Sequence, residues 1–432
     1  MKTVIMAGGK GTRISSIAKE IPKPMIVVDG KPVLEYQIEC LKNQGFTDLI
    51  ITVSHLGHII MDYFGDGNKI SPITGKSFGV HIEYYNEKEP LGNAGALFRI
   101  KDKLTNDFLL INADSIFDVD LNRFVNHHKK CGGLATIFTH PNSHPYDSGL
   151  IVANSFGSVD KWITKEDIRP KYYKNRVNAG LHVISRELLE QNIATEKVDL
   201  DRQLLKPLAG TGRMFVYDSP EYVKDMGTPD RYMLVCKELE SGFVHLKSLC
   251  NKQKAIFLDR DGTINKYVGF LNNIDDFELL PDVAEAIKSI NCSGYLAIVI
   301  TNQPVIARGE ITEKELEMIH NKMETLLGEK GAYLDGIYYC PHHPDKGYEG
   351  ERPEYKIVCE CRKPKPGMIF QAANKYNIDL ENSWVVGDSK NDIDAGIAAK
   401  CKTALVSHEN IDMGQLQTVS TLKEFVDKNI LI

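Results

Sequence analysis

Short apolar runs rich in β-branched residues alternate along this chain with longer segments whose apolar residues recur at helical spacing. The strand-like runs are residues 3–7, 48–54, 108–114, 134–140, 255–261, 295–302 and 383–388. The helix-like segments include residues 33–44, 121–130, 282–290 and 312–327. Strands that alternate with helices are typical of parallel sheets covered by helices on both faces, so the predicted fold class is α/β.

Two places open a new α/β unit, because a strand-like run there leads directly into a loop that contains glycine. One is the N-terminus and the other is Ala255. A helix predicted over residues 232–249 and a polar stretch at 251–254 precede the second opening. A chain of 432 residues has room for two or three domains. We predict a domain over 1–235, a helical linker over 236–253 and a second domain over 254–432.

The composition excludes several classes of protein. Hydrophobic residues make up 42% of the chain and charged residues 25%, which excludes disordered and fibrous chains. The formal net charge of -6 provides no broad basic surface, so neither nucleic acid nor an anionic membrane is an expected partner. The first apolar run is too short for a secretion signal, and no run reaches the roughly 18 apolar residues of a membrane span. We therefore expect a cytoplasmic protein. Any phosphate group must be bound by a few cations at individual sites and not by a broad basic surface.

The first strand leads into a glycine-rich loop with cations. The loop reads Gly8-Gly9-Lys10-Gly11-Thr12-Arg13, and Lys23 follows between two prolines. Glycines let the backbone N–H groups approach a phosphate closely, and Arg13 and Lys23 can neutralise a triphosphate. The alternative is a glycine turn with two surface cations. The spacing fits neither a P-loop nor a dinucleotide-binding loop.

The string AGGKGTR, followed by PKP, resembles the signature of the sugar-1-phosphate nucleotidyltransferases, and the resemblance spans roughly the first 235 residues. It implies a Rossmann-like α/β core that joins a nucleoside triphosphate to a sugar 1-phosphate and releases pyrophosphate. In that family the sugar phosphate is itself the nucleophile, so no general base is needed. The resemblance implies that the triphosphate is held by Gly8, Gly9, Gly11, Thr12 and Arg13, with Arg13 and Lys23 stabilising the transition state.

Two acidic motifs extend this resemblance. INADSIF (111–117) and KDMGTPDRY (224–232) resemble the family's metal-binding segments, which implies that Asp114 and Asp225 bind one Mg²⁺. Two carboxylates suit a hard cation that bridges phosphates. The alternative for either aspartate alone is a helix or turn cap.

Three further segments imply contacts with the substrates. LGNAGAL (91–97) resembles the base and ribose segment, with Gly92 and Asn93 as candidates. VNAGLHVIS (177–185) resembles the sugar-binding strand, with Asn178 and Gly180 as candidates. Lys165 stands where the family has a phosphate-binding lysine, but both of its neighbours depart from the family's Glu-Lys-Pro, and a solvated surface lysine is the alternative.

A second pair of acidic residues follows the strand-like run at 255. Asp259 and Asp261 are two residues apart, so in an extended segment both side chains point the same way. Two carboxylates on one side repel each other and call for a metal or a shared proton. One can attack phosphorus while the other donates a proton to the leaving oxygen. The alternative is an Asp-rich turn.

Later motifs complete a resemblance to the haloacid dehalogenase-type phosphatases. TNQ (301–303) implies that Thr301 and Asn302 bind phosphoryl oxygens. CRKPKPGM (361–368) supplies Arg362 and Lys363, and the family pattern implies that Lys363 holds Asp259 and the phosphate together. VVGDSKND (385–392) supplies Asp388, with Asp392 nearby. By the same pattern Mg²⁺ is bound by Asp259, Asp261 through its backbone oxygen, and Asp388.

Three of the nine cysteines cluster with a histidine. The pattern Cys340-x-His342 followed by Cys359-x-Cys361 offers three thiolates and one imidazole. Four such ligands suit a structural, tetrahedral Zn²⁺, here in the C-terminal domain. His343 is a competing ligand, and chance clustering is a further alternative. The other six cysteines are expected to be ordinary thiols.

The strings DRDGTIN, GIYYCPHHP and CxCRKP together resemble the heptose 1,7-bisphosphate phosphatases over about residues 254–410. The related histidinol-phosphate phosphatases share the zinc loop. Where the family reads TNQSGIARG, this chain has Pro304 and Val305. That change stiffens the loop leading to Arg308, a candidate contact to the distal phosphate for which a surface cation is the alternative.

The two resemblances together imply that the chain performs two consecutive reaction steps. A phosphatase would convert heptose 1,7-bisphosphate into heptose 1-phosphate, and a nucleotidyltransferase would then activate that product. The N-terminal half resembles the heptose 1-phosphate guanylyltransferases, so GTP is the expected nucleotide. The alternatives are a hexose pathway, such as mannose 1-phosphate guanylylation beside another sugar or histidinol phosphatase, and a half that is degenerate and regulatory. Oligomerisation and channelling between the sites stay open.

Overall fold

A computed structural model describes residues 1–9, 20–190, 197–347, 349–409 and 411–430. The chain divides into two compact units. The first unit comprises residues 1–139, 151–163 and 178–248. The second comprises residues 140–150, 164–177 and 249–432.

The strands and helices of the described residues have the following bounds. The strands are β1 (Thr3–Met6), β2 (Val27–Val28), β3 (Lys31–Pro32), β4 (Asp48–Val53), β5 (His81–Asn86), β6 (Phe108–Asn112), β7 (Ser115–Asp118), β8 (Ala135–His140), β9 (Leu150–Ala153), β10 (Val159–Ile163), β11 (Val177–Ile184), β12 (Met214–Asp218), β13 (Tyr222–Asp225), β14 (Lys254–Leu258), β15 (Tyr295–Asn302), β16 (Gly336–Cys340), β17 (Trp384–Gly387), β18 (Lys402–Val406) and β19 (Gln417–Val419). The α-helices are α1 (Val33–Asn43), α2 (Gly57–Phe64), α3 (Gly95–Arg99), α4 (Leu121–Cys131), α5 (Pro229–Glu240), α6 (Phe243–Leu246), α7 (Val283–Asn291), α8 (Glu313–Glu329), α9 (Gly367–Tyr376), α10 (Lys390–Ala398) and α11 (Leu422–Asn429). Within these described ranges, no helix combines the length and apolar character needed to cross a membrane.

The main sheet of the first unit contains nine strands among the described residues, ordered β10-β9-β11-β6-β1-β4-β5, with β8 beside β11 and β12 beside β8. Strand β1 lies parallel to both β6 and β4. Neighbouring residues on β1 point to opposite faces, so Val4 and Ile5 enter two separate hydrophobic cores. Because both faces are buried, β1, β4 and β6 are continuous apolar runs in the sequence.

The second unit contains a parallel sheet of six strands among the described residues, ordered β16-β15-β14-β17-β18-β19. Phe257 and Leu258 on β14 enter cores on opposite faces of this sheet. The predicted α/β class with two sheets is therefore confirmed. Strands β15, β14 and β17 are neighbours, so their carboxyl ends meet at one edge, where open parallel sheets bind their ligands.

One of the predicted helices is confirmed by the structure, and another is wrong. The helix predicted over 312–327 is α8, and it begins at a capping box in which Thr312 and Glu315 each bind the other's backbone N–H. The single helix predicted over 232–249 is wrong, because the structure has α5 and α6 instead. Gly242 lies between them with φ +73, a left-handed conformation that ends a helix.

Residues 164–177 pack against α8 inside the second unit. Arg176 Nη1 lies 3.1 Å from Glu324 Oε1, and their side chains are only 6% and 2% exposed. The Tyr173 N–H donates to Thr325 Oγ1 at 2.9 Å. The second unit thus includes residues that precede β11 in the sequence. The division of the chain into domains ending at 235 and beginning at 254 stays a prediction.

Candidate active sites and metal centre

The first candidate site lies where β1 and β6 end side by side. These strands pair in parallel, with Met6 opposite Asn112, so the chain after β1 and the chain after β6 leave from the same edge. Gly8 and Gly9 follow β1, and Asp114 follows β6. The predicted phosphate-binding residues Gly11, Thr12 and Arg13 lie outside the described residues.

Lys23 and Asp114 form the central ion pair of this site. Lys23 Nζ donates to Asp114 Oδ2 at 2.8 Å, and the two side chains are 12% and 34% exposed. A lysine and a carboxylate that are far apart in sequence therefore meet at the sheet edge, while their predicted roles in catalysis and metal binding stay predictions.

Asp225 reaches the same place through a two-stranded sheet. Strand β13 pairs antiparallel with β7, which sets Asp225 opposite Ser115, and the Met226 N–H donates to the Asp114 carbonyl at 3.1 Å. Arg231 Nη1 lies 2.8 Å from Asp225 Oδ2. The Gly227 N–H also donates to Asp225 Oδ1 at 2.7 Å. Asp114 and Asp225 offer the oxygen ligands that Mg²⁺ prefers, and their binding of Mg²⁺ stays a prediction.

Gly92 and Asn93 pair with a later segment of the same unit. Gly92 has φ +82, and a Cβ there would lie 2.4 Å from the Val198 carbonyl oxygen, so only glycine fits. Asn93 Oδ1 accepts from the Leu200 N–H at 2.7 Å. The Asn93 side chain thus fixes the loop, and its contact with the nucleotide stays a prediction.

The predicted sugar-binding residues on β11 are held close to β6. Gly180 has φ +79, and a Cβ there would lie 2.6 Å from Asn112 Nδ2. The Gly180 N–H donates to Asn178 Oδ1 at 3.1 Å. Lys165 is exposed in a turn of the second unit, and its phosphate contact stays a prediction.

Glu87 is a candidate that the sequence interpretation missed. Its Oε1 lies so close to Gly8 that a Cβ at Gly8 would be 2.7 Å away. Burial raises the pKa of the Glu87 carboxyl above its ordinary value. Its position directly after β5, at the same end of the sheet as Gly8, was the only available signal, and no motif marks it.

The second candidate site lies at the carboxyl ends of β14, β15 and β17. Asp259 follows β14, and Asp388 follows β17. One carboxylate oxygen from each of Asp259, Asp388 and Asp392 lies within 4.8 Å of the other two. Three carboxylates this close carry an excess of negative charge, and their oxygens fit a hard divalent cation such as Mg²⁺.

Lys363 is the buried cation of this group. Its Nζ donates to Asp259 Oδ1 at 2.8 Å, to Asp392 Oδ1 at 2.5 Å and to the Ile300 carbonyl at 2.8 Å. Burial lowers the pKa of Lys363, but the two carboxylates outweigh burial and hold that pKa above its ordinary value. Lys363 is therefore charged when it contacts Asp259.

Burial raises the pKa of the aspartates, whereas it lowers the pKa of Lys363. Burial and repulsion from Asp392 raise the pKa of Asp259 above its ordinary value, although Lys363 counteracts this. The same two causes raise the pKa of Asp388 to about 6. A bound cation would favour the ionised form of both carboxylates.

Asp392 and Gly262 shape the group around Asp259. Asp392 Oδ2 accepts from the Ser389 N–H and hydroxyl at the start of α10, so both oxygens of Asp392 already have partners. Asp392 therefore holds Lys363. Gly262 has φ +83, and a Cβ there would lie 1.9 Å from Asp388 Oδ2, so a side chain would displace that carboxylate.

The residues at the end of β15 hold the Lys363 loop. Asn302 Oδ1 accepts from the Lys363 N–H, and Asn302 Nδ2 donates to the Lys363 carbonyl, both at 3.0 Å. Thr301 is buried, and its hydroxyl accepts from Gln303 Nε2 at 2.9 Å. Their contacts with a phosphoryl group stay predictions.

The predicted substrate-binding arginines have different partners. The Arg308 guanidinium lies 4.1 Å from the centre of the Phe270 ring, and its Nε lies 2.6 Å from Glu310 Oε1. Arg362 Nη1 donates to the His342 carbonyl at 3.1 Å, which ties it to the Cys/His cluster.

Asp261 stands apart from the three grouped carboxylates, although it is only two residues from Asp259. Its carboxylate accepts from Arg260, Asn265 and Gln303 at 2.8 to 3.2 Å. Its side chain therefore does not join the grouped carboxylates, and only its backbone oxygen remains as the metal ligand that the sequence predicted.

The structure groups the four predicted zinc ligands. The Sγ atoms of Cys340, Cys359 and Cys361 are 3.3 to 3.5 Å apart, and His342 Nδ1 lies 3.3 Å from Cys361 Sγ. Zinc–sulfur bonds of about 2.3 Å in a tetrahedron place sulfurs about 3.8 Å apart, so this set fits Zn²⁺. His343 lies outside the group and contacts Asp345.

Comparisons with known proteins find a different family in the N-terminal and in the C-terminal part of the chain. A family model for nucleotidyl transferases matches residues 2–242, and a HAD-hydrolase-like model matches residues 360–429. A D-glycero-beta-D-manno-heptose-1,7-bisphosphate 7-phosphatase of Yersinia pestis is 43% identical over 152 residues, which cover 35% of this chain and 79% of that protein. The protein of that name from Pasteurella multocida is 44% identical over 155 residues, covering 36% and 81%. The crystal structure of HddC from Yersinia pseudotuberculosis is 25% identical, covers 55% of this chain and 99% of that one, and has a TM-score of 0.46.

Proposed function

Because the chain belongs to the nucleotidyl transferase family and, in its C-terminal part, to the heptose bisphosphate phosphatase family, we propose that it performs two consecutive steps of heptose activation. The phosphatase removes the 7-phosphate of D-glycero-D-manno-heptose 1,7-bisphosphate. The nucleotidyltransferase then couples the resulting heptose 1-phosphate to a nucleoside triphosphate. The observation that carries the proposal is the buried contact of 2.8 Å between Lys363 Nζ and Asp259 Oδ1, in a chain that also has a nucleotidyltransferase half.

In the phosphatase, Asp259 is the nucleophile. Its carboxylate attacks the 7-phosphorus, and the sugar oxygen leaves with a proton from Asp261. Water then hydrolyses the aspartyl phosphate and restores Asp259. Lys363 neutralises the charge that builds up on the phosphoryl oxygens, while Thr301 and Asn302 orient them. Arg308 and Arg362 bind the rest of the substrate.

Mg²⁺ in this half would be held by Asp259, the backbone oxygen of Asp261, and Asp388. When bound, such an ion supplies charge neutralisation at the phosphate. Zn²⁺ would be held by Cys340, His342, Cys359 and Cys361 as a closed structural site. Since Arg362 donates to the His342 carbonyl, the loop that carries His342 positions a proposed substrate-binding residue.

In the nucleotidyltransferase, heptose 1-phosphate is the nucleophile. Its phosphate oxygen attacks the α-phosphorus, and pyrophosphate leaves, so no general base is needed. Arg13 and Lys23 stabilise the charge on the reacting phosphorus. Mg²⁺ would be held by Asp114 and Asp225 and would supply charge neutralisation at the phosphates. The triphosphate is held by Gly8, Gly9, Gly11 and Thr12, the nucleoside by Gly92 and Asn93, and the sugar phosphate by Asn178 and Gly180.

GTP is the proposed nucleotide, which rests on the resemblance of the N-terminal half to heptose 1-phosphate guanylyltransferases. The full chain is incubated with heptose 1,7-bisphosphate, Mg²⁺ and each nucleoside triphosphate in turn, and the products are identified by mass. We expect GDP-heptose, phosphate and pyrophosphate with GTP. A nucleotide-heptose formed with another base would correct only the nucleotide. No nucleotide-heptose with any base would reject the substrate assignment.

A further inference from the structure

Asp261 is held by donors on three different parts of the second unit. Arg260 Nη2 donates to both carboxylate oxygens, at 2.9 and 2.8 Å, and Arg260 Nε lies 3.2 Å from Oδ1. Asn265 Nδ2 donates to Oδ1 at 3.0 Å, and Gln303 Nε2 donates to Oδ2 at 2.9 Å. We call Arg260 and Gln303, which both donate to Asp261 Oδ2 and also contact each other, the Asp261 clamp.

Arg260 is unusual because an arginine beside an active-site loop is completely buried. Its exposed fraction is 0%, whereas the Asp261 side chain is 18% exposed and therefore accessible to water. A carboxylate that water can reach does not need a buried partner for its own solvation, and burying a guanidinium is costly. The arginine is therefore explained better by the orientation that it imposes on Asp261.

Two more residues fix Arg260 itself. Its Nη2 donates to Gln303 Oε1 at 3.0 Å, and its Nη1 lies 3.3 Å from His320 Nε2 on α8. Burial and the Arg260 charge lower the pKa of His320 well below its ordinary value, so the ring is neutral and can accept this hydrogen bond. The guanidinium thus has partners on three sides and little freedom to turn.

Gln303 links the clamp to the phosphate end of β15. Its Nε2 also donates to the Thr301 hydroxyl at 2.9 Å, and its backbone N–H donates to the Cys340 carbonyl at 2.8 Å. One amide therefore connects Asp261 with the strand end on which the phosphoryl group is proposed to lie.

Every contact of the clamp with Asp261 comes from an N–H group, and N–H groups only donate. Such contacts suit the carboxylate, which accepts on both oxygens. In the proposed reaction Asp261 is a carboxylate between the two steps, after it has given its proton to the leaving sugar oxygen. At that stage it must take a proton from water.

We propose that Arg260 and Gln303 are positioning residues that orient the Asp261 carboxylate to accept the proton of the water that hydrolyses the Asp259 aspartyl phosphate. In this step the water oxygen bonds to phosphorus, the bond between phosphorus and the Asp259 oxygen breaks, and the water proton moves to Asp261. Phosphate leaves, and Asp259 is again a carboxylate. This inference rests on the proposed phosphatase function and deepens it.

The test separates the two chemical steps with 4-nitrophenyl phosphate, whose leaving group departs without needing a proton. Rapid-mixing kinetics on the full chain compare wild type with Gln303→Leu and Arg260→Lys. We expect the first turnover, read as a burst of nitrophenol, to keep its rate within about threefold, while steady-state turnover falls roughly 10- to 100-fold. Intact-mass analysis of the quenched variants should detect the phosphorylated enzyme.

Two further variants serve as the positive and the negative control. Asp261→Asn should give the same burst with an even slower steady state, and Gln371→Leu, at an exposed position of α9, should behave as wild type. Equal losses in burst and steady state would indicate a structural role and overturn the inference, as would no loss in either. Wild type that hydrolyses 4-nitrophenyl phosphate but not the heptose bisphosphate would reject the proposed substrate and leave this test intact. Wild type inert towards both would overturn both proposals.

Discussion

Lys363 lies 2.8 Å from Asp259 and donates to Asp392 as well, so one buried ammonium holds two carboxylates that are far apart in the sequence. Asp392 is itself fixed by Ser389 at the start of α10. The ammonium position is therefore set by a helix terminus, and the Asp259 carboxylate is set by the ammonium. Small changes in this group should affect the chemistry of phosphate release without touching the other half.

Asp259→Asn should abolish phosphate release, by about a thousandfold or more, because an amide oxygen is a poor nucleophile. Pyrophosphate release from GTP and heptose 1-phosphate should be unchanged. Both products are measured in parallel on the same preparation. Asp412→Asn, at an exposed position of the same unit, is the matched control. Loss of both activities in Asp259→Asn would contradict the assignment of two independent sites.

Asp114→Asn should lower nucleotidyl transfer by about a hundredfold or more, because the substitution removes a charge that would bind Mg²⁺. Asp225→Asn should do the same, and Asp102→Asn, which changes an exposed aspartate of the same unit, should not. Pyrophosphate release is titrated with Mg²⁺ for each variant. Wild-type activity and an unchanged Mg²⁺ requirement in Asp114→Asn would exclude this residue as a ligand.

Cys359→Ser should remove bound zinc, because one of the four grouped ligands is lost. Zinc content is measured by mass spectrometry, and thermal unfolding of the second unit should shift down by on the order of 10 °C. Cys292→Ser changes an exposed cysteine outside the cluster and serves as the control. Zinc retained by Cys359→Ser at the wild-type level would reject the ligand set.

Glu324→Ala should destabilise the second unit by about 3–5 kcal/mol, because it leaves the buried Arg176 charge without its carboxylate partner. Chemical denaturation is the measurement, and Glu329→Ala on the exposed end of α8 is the control. Because two apolar residues can replace a buried ion pair, the double variant Arg176→Met/Glu324→Leu should recover much of the loss. A single variant as stable as wild type would show that the pair is unimportant for this unit.

His182 on β11 gives the first unit a predicted pH dependence. Neither ring nitrogen has a hydrogen-bond partner among the described residues, and burial lowers the pKa of His182 to about 3. The unfolded chain binds this proton near its ordinary pKa, about 6.5, whereas the folded state does not. Stability should therefore fall as the pH drops below about 6.5, by at most about 1.4 kcal/mol per pH unit from this group.

The substitution His182→Leu should remove this contribution and raise stability at neutral pH by about 1 kcal/mol, because no polar ring is then buried. Denaturation at several pH values compares it with wild type and with His58→Leu, which changes an exposed histidine. Parallel pH profiles for His182→Leu and wild type would show that another group dominates the acid sensitivity.

The positions of Asp114 and Asp259 could be predicted from the sequence, because each follows an apolar strand. Parallel strands end at one edge, so Asp114 after β6 and Asp259 after β14 were bound to lie at the ends of their sheets. The grouping of Cys340, His342, Cys359 and Cys361 was predictable for a different reason, because two short Cys/His motifs flank one loop.

Other features depend on contacts between distant parts of the chain, which no local pattern records. Arg260 looked like an ordinary residue between two aspartates, and only the fold brings Gln303 and His320 to it. Burial of Glu324 could not be foreseen, because its partner comes from residues 164–177. A local signal was available for one error: Gly242 ends α5 and could have been read as a helix stop.

Two segments of the second unit lie in the sequence between segments of the first, and this has a practical consequence. Residues 140–150 and 164–177 fold with the phosphatase, yet they lie well inside the part that matches the nucleotidyl transferase family. A cut near residue 250 would therefore separate these stretches from the rest of the second unit. A fragment ending near residue 250 would carry two stretches whose packing partner was left behind, and the complementary fragment would expose the buried face of α8. Separate expression of the halves calls for redesign of these stretches.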